Sequence, residues 1–253
     1  MKTRIRLPLL IAVTICAALW AMPGTAHAQI FVANFFGAGG TGAIGEYNLD
    51  GTTINASLVS EISPYGIAVS GGDIFVADYY GTIAEFTTTG GTVNDPLVSG
   101  LNSQLHGIAV SGGDLFVVNG GSGTIGEYTT SGGTVNASLV SGLDFPEGIA
   151  VSGGDIFVAN SVNDTIGEYT TSGATVNASL VSGLNTPHGI TVYGGELFVV
   201  NEGNGTIGEY NLDGTTVNAS LVSGHVGKRQ KHFGSIRPGG RLRNAPDFCR
   251  NRT

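Results

Sequence analysis

Four residues occupy one position of a recurring unit and differ in type: Tyr65, His106, Glu147 and His188, each 41 residues after the last and each followed directly by Gly. Everything after that glycine is nearly constant, so the variation concentrates where chemistry could be placed. Imidazole and carboxylate are the donor types of Zn²⁺ and similar divalent ions. A metal held by His106, Glu147 and His188 would lower the pKa of a bound substrate group. Tyr65 or a histidine beside it would move a proton, as β-elimination requires. The catalytic candidates are therefore His188, His106 and Tyr65, the metal-ligand candidates His106, Glu147 and His188, and the implied cofactor a divalent metal. The competing reading is a solvated rim where a turn tolerates any side chain.

Other recurring polar residues read as scaffold. Glu46, Glu85, Glu127, Glu168 and Glu209 hold one place, two residues after an Ile. That constancy suits a repeat-wide contact. Asn34, Asp78, Asn119, Asn160 and Asn201 follow an apolar run, where an Asx side chain caps a turn. Asn-Ala-Ser at Asn55, Asn136, Asn177 and Asn218 fits a glycosylation sequon, but it recurs because the unit recurs. No Ser/His/Asp nucleophile context or phosphate-cradling loop is present.

The elements that position these residues come from the repeat itself. Units 107–147 and 148–188 are identical at 31 of 41 positions, and a partial unit spans Gln29–Tyr65. Each unit predicts four short strands, in unit 107–147 Gly107–Val110, Leu115–Val118, Thr124–Tyr128 and Thr134–Val140. Gly-rich dipeptides separate them, and Gly reaches positive φ without strain. β-Branched and aromatic residues fill the strands. The second strand is apolar without alternation, as expected of a strand covered on both faces. Four strands in about forty residues predict an all-β fold, a β-propeller of four-stranded blades with about five blades present. A parallel β-helix is the alternative, although its repeat is normally shorter. In a propeller the Tyr65, His106, Glu147 and His188 position lies at the mouth of the central channel.

Pro187-His188-Gly189-Ile190-Thr191-Val192, then Glu196-Leu197-Phe198-Val199-Val200-Asn201, then Gly205-Thr206-Ile207-Gly208-Glu209-Tyr210 resembles the repeat of NHL-type propellers. The resemblance covers essentially all of residues 29–224. Such propellers include interaction modules, streptogramin lyase, the peptidyl-hydroxyglycine lyase and, more distantly, gluconolactonases, so the fold does not select an activity. In the lyase-type relatives a His in a Pro-His-x-hydrophobic context serves as metal ligand or base. Pro187-His188-Gly189 matches that context, whereas His106 follows Leu105. The resemblance also implies six or more blades, and a ring closed by a first strand supplied from the C-terminus. Here the repeat stops after Gly224, where His225 stands in place of Leu. An incomplete or unclosed ring is the expectation.

The two ends differ from the body. Lys2, Arg4 and Arg6, an apolar run from Leu9 to Met22 and Ala26-His27-Ala28 predict a secretory signal peptide over residues 1–28. Export to the periplasm or medium follows, with no membrane span after cleavage. Cys16 would leave with that leader, so Cys249 has no partner for a disulfide. Between Arg6 and Lys228 there is no Lys or Arg, while residues 29–224 carry 18 of the 19 carboxylates. A body without cations cannot neutralise phosphates, which excludes nucleic acid as its partner. Residues 225–253 hold eight basic residues and read as a basic non-repeat tail, either native or the product of a frameshift near Gly224. The expected partner is a protein, carbohydrate or small molecule, and the expected state a monomer. Two functions compete: a binding or interaction module, and a metal-dependent lyase- or lactonase-like enzyme at the channel mouth.

Overall fold

The computed structural model describes residues 12–16, 29–35 and 42–224. They form five four-stranded antiparallel sheets, each in simple meander order. Blade 1 comprises β1 (Ala12–Cys16), β2 (Gln29–Phe35), β3 (Gly42–Asn48) and β4 (Thr53–Ile62). Blade 2 comprises β5 (Pro64–Ser70), β6 (Asp73–Asp78), β7 (Thr82–Thr87) and β8 (Thr92–Val98). Blade 3 comprises β9 (Leu105–Ser111), β10 (Asp114–Asn119), β11 (Thr124–Thr129) and β12 (Thr134–Ser141). Blade 4 comprises β13 (Pro146–Ser152), β14 (Asp155–Asn160), β15 (Thr165–Thr170) and β16 (Thr175–Val181). Blade 5 comprises β17 (Pro187–Tyr193), β18 (Glu196–Asn201), β19 (Thr206–Asn211) and β20 (Thr216–Val222).

The β-propeller expectation holds, and the reason is visible in the second strands. Phe75 and Ala77 of β6 pack into the core shared with blade 3, while Ile74 and Val76 pack into the core shared with blade 1. In β10, Leu115 and Val117 face blade 2, and Phe116 and Val118 face blade 4. Alternate side chains of a strand point to opposite faces. A strand that is apolar at every position therefore glues two neighbours at once. In blades 2, 4 and 5 the first and second strands join through glycine pairs with both φ positive, such as Gly153 (φ 65) and Gly154 (φ 94). That backbone matches the twist of the strands it connects, and side-chain-bearing residues adopt it at a cost.

The outermost strands are polar and exposed until their last residues. Each pairs its Asn with the recurring Glu of the third strand, as Glu127 with Asn136 and Glu168 with Asn177. A bulge follows, and the same Asn accepts a hydrogen bond from the amide two residues on, Ser138 N to Asn136 Oδ1 at 3.1 Å. In blade 2, Asn94 Nδ2 donates to Glu85 Oε2 at 2.6 Å. In blades 1 and 2 the recurring glutamate thus makes a scaffold contact, Glu46 with Gln29 and Glu85 with Asn94.

Two expectations are corrected. The first strands start earlier than the sequence suggested: β9 begins at Leu105 and β17 at Pro187, so His106 and His188 lie inside strands. The Asn of each second strand reaches back to Leu105 or Pro187 and draws two more residues into the ladder through a bulge. With the repeat stopping after Gly224, the first strand of blade 1 is expected to be missing. Instead β1 pairs antiparallel with β2, Ala12 opposite Phe35 and Cys16 opposite Phe31. Residues 225–253, read as a basic tail, lie outside the described residues.

The innermost strands pack in sequence, β5 beside β9, β9 beside β13 and β13 beside β17, with β1 and β2 beside β5. Four buried clusters lie between successive blades. Among the described residues no such cluster joins blade 5 to blade 1, and no strand pairing does so. The ring is not closed by hydrogen bonds.

Candidate functional site at the channel mouth

Tyr65, His106, Glu147 and His188 are the second residues of β5, β9, β13 and β17. Their neighbours in the chain explain how they come together. Gly66, Gly107 and Gly148 follow Tyr65, His106 and Glu147. A Cβ on Gly66 would lie 2.2 Å from the His106 carbonyl oxygen, and one on Gly148 2.2 Å from that of His188. Only glycine lets adjacent inner strands approach so closely, which brings successive second residues into contact.

The approach to each strand is fixed as well. Gln104, Phe145 and Thr186 take positive φ of 72°, 50° and 51°. The carbonyls of Ser63, Gln104, Phe145 and Thr186 accept hydrogen bonds from the amides of Tyr79, Gly120, Ser161 and Glu202. These four amides belong to the residue just after each Asx, again spaced by 41. Blades 2 to 5 therefore each pin two variable positions together, one at the start of the first strand and one at the end of the second.

The side chains meet around Glu147. Tyr65 OH donates to Glu147 Oε2 at 3.2 Å. His106 Nδ1 lies 3.3 Å and His188 Nδ1 3.5 Å from the same oxygen. His106 Nδ1 also lies 2.9 Å from the Pro146 carbonyl, to which only a protonated nitrogen can donate. His188 Nε2 lies 2.7 Å from Glu202 Oε2. His106, Glu147 and His188 are 3%, 4% and 4% exposed, so the solvated-rim reading of this position does not hold. Burial pushes the Tyr65 phenol well above its ordinary pKa, and the Glu147 carboxylate adds to the shift.

An aromatic wall continues from this cluster. Tyr65 stacks on His106 at 4.6 Å between centroids and on Tyr79 at 6.1 Å. Phe35 packs against both tyrosines, Phe145 lies edge-on to His106 at 5.5 Å, and Tyr80 lies edge-on to Tyr79. The wall grades from buried Phe35, through half-buried Tyr65 and Tyr79, to exposed Tyr80 and Phe145. Gly120 makes room for it: a Cβ there would sit 2.3 Å from the His106 ring.

Sequence reasoning missed Glu202, Tyr79, Phe35 and Gly120. The signal was present. The residue after the Asx varies as Phe35, Tyr79, Gly120, Ser161 and Glu202 while the residue before it is always Asn or Asp.

One ring nitrogen of each histidine already has a partner in this arrangement. His106 Nδ1 is held by a carbonyl, and His188 Nε2 by Glu202. Among the described residues no group of three or more His, Cys, Asp or Glu side chains is disposed to hold an ion.

Neither the models of known protein families nor the curated proteins give a sequence match to the chain. Solved structures do resemble it. The nidogen/laminin complex aligns over 90% of this chain and 84% of that one, with TM-score 0.70 and 17% identity. A streptogramin B lyase aligns over 87% and 86%, with TM-score 0.60 and 17% identity. A gluconolactonase from Xanthomonas campestris aligns over 85% and 79%, with TM-score 0.64 and 14% identity. At these identities the likeness is one of fold: the chain is a β-propeller repeat protein, distant in sequence from all three.

Proposed function

We propose that the chain is a binding module that takes a small molecule or carbohydrate at the channel mouth. One observation carries the reading: side chains from three blades, Tyr65, His106 and His188, meet Glu147 Oε2 of a fourth, beside a graded aromatic wall. The scaffold elsewhere repeats nearly unchanged, so divergence at this point is where specificity resides. Aromatic faces with a few placed polar groups are the usual lining of small-molecule sites. A thermal-shift panel of mono- and oligosaccharides and small polar molecules tests the proposal. At least one class should raise the melting temperature of the full chain, and Glu147→Gln and Tyr79→Ala should abolish that rise. A rise unchanged in both variants would place binding elsewhere and contradict the reading.

A second reading is a lyase- or lactonase-like enzyme. It draws on the 2.7 Å contact of His188 with Glu202, an imidazole–carboxylate pair of the kind that orients a general base. Dependence on a metal would require His106 and His188 to ligate through their other ring nitrogens or to leave their present partners. Metal analysis of the purified protein at neutral pH addresses this: only a substoichiometric trace would end the metal-dependent form.

A further inference from the structure

The mouth combines two chemistries, and their combination selects a ligand class. Tyr65, Tyr79 and Tyr80 present aromatic rings that are half-buried or exposed, and Phe145 an exposed one. The face of such a ring is electron-rich and attracts a cation within about 6 Å. Two carboxylates stand at the same place: Glu147, which Tyr65 touches directly, and Glu202, 23% exposed, joined to it through His188. The fixed charge around them is one-sided, because residues 7–227 contain no Lys or Arg to offset it. A low-dielectric mouth lined by one sign of charge concentrates ligands of the other sign.

We infer that the site takes an organic cation, a quaternary or protonated amine with an apolar body. Its charged head would lie against the half-buried Tyr79 and exposed Tyr80 rings, with Glu147 and Glu202 supplying the opposite charge. An anion would be repelled by the two carboxylates, and the donors at the site, Tyr65 OH and the histidines, are already engaged with them or with a carbonyl. A neutral sugar could stack on the rings, but it gains nothing from the uncompensated charge. A metal ion would use the carboxylates and leave the wall without a role. The inference rests on the binding-module reading and names its ligand class.

Calorimetric titration of the full chain with choline, with its neutral carbon analogue 3,3-dimethylbutan-1-ol and with glucose tests it. Choline should bind, with the neutral analogue weaker by roughly two- to fivefold, since a cation gains from partly exposed ring faces what a neutral head does not. Raising NaCl should weaken choline and leave the analogue unaffected. Glu202→Gln should weaken choline severalfold and the analogue hardly at all. Tyr79→Leu, which keeps apolar bulk, should weaken choline more than the analogue. Equal binding of choline and its analogue, or binding of glucose alone, would overturn the organic-cation inference and leave the binding-module reading standing. Absence of choline binding at millimolar concentration would also overturn it. A flat response to the whole panel of sugars, small polar molecules and amines would take the binding-module reading down with it.

Discussion

Glycine does as much for the site as the residues that bear its chemistry. Gly148 lies under the His188 carbonyl, and the atom it would have to clear is backbone, which cannot swing away. Gly148→Ala should therefore destabilise the protein by about 1–3 kcal/mol, the usual cost of forcing atoms into a packed interior. Equilibrium denaturant unfolding would measure it. Gly120→Ala acts differently, because the obstructed group is the His106 ring. Tyr65 gives a residue-level prediction in pH. Its folded-state pKa is raised by burial and by Glu147 from an ordinary value of 10.0. The folded state then holds a proton that the unfolded chain loses above about pH 10. Stability from this group is fully present below that pH and falls as pH rises beyond it. Tyr65→Phe should flatten the alkaline limb of a stability–pH curve, and an unchanged limb would show that Tyr65 contributes nothing to it.

Strands turn these residues into a site by holding two variable positions of each blade in register. How much of this was legible in the sequence follows from which contacts are local. The repeat, the four strands and the doubly buried second strand are written in adjacent residues, and each was read from them. The convergence of Tyr65 on Glu147 spans 82 residues and two blades. Register alone put both on the mouth, but not the hydrogen bond between them. Glu202 escaped because its position looked like a turn following an Asx, and turns tolerate variation. Only the bond from its amide to the Thr186 carbonyl reveals that this turn is clamped to the next variable residue. The innermost strand of blade 1 could not be foreseen, because Ala12–Cys16 lies in a segment whose composition reads as a leader. Its pairing with β2 makes an element-level prediction. In a chain lacking residues 1–28, β2 keeps β3 as partner but loses β1. Those amides of Phe31–Phe35 that face β1 should then exchange with solvent faster than in the full chain, while the amides of β10 stay as they were. Hydrogen exchange of the two forms decides it, and equal protection of β2 in both would remove β1 from the account.

At the scale of the whole molecule, one-sided charge shapes stability as well as recognition. Burial raises the pKa of Glu46, Glu127, Glu168 and Glu209 above the ordinary value of 4.5, and neighbouring carboxylates add to the shift for the last three. The folded state therefore binds more protons than the unfolded chain as pH falls toward that value, so stability rises on acidification. Relief of repulsion in a body without Lys or Arg acts in the same direction. The melting temperature should increase from pH 7 to about pH 5, and a fall over that interval would contradict this. The open ring matters here too. Among the described residues four inter-blade cores support five blades and none lies between blades 5 and 1, so these two are the first expected to loosen.

The claim on which the rest depends is that the variable positions of separate blades build one site at the mouth. Chemical-shift mapping of the labelled full chain during titration with the ligand class that raises its melting temperature tests it most directly. The account predicts that the perturbed signals cluster on Tyr65, Tyr79, His106, Glu147, His188 and Glu202, with the outer strands silent. Perturbations centred on the exposed outer strands, around Asn136 and Asn177, with the mouth unmoved, would contradict it.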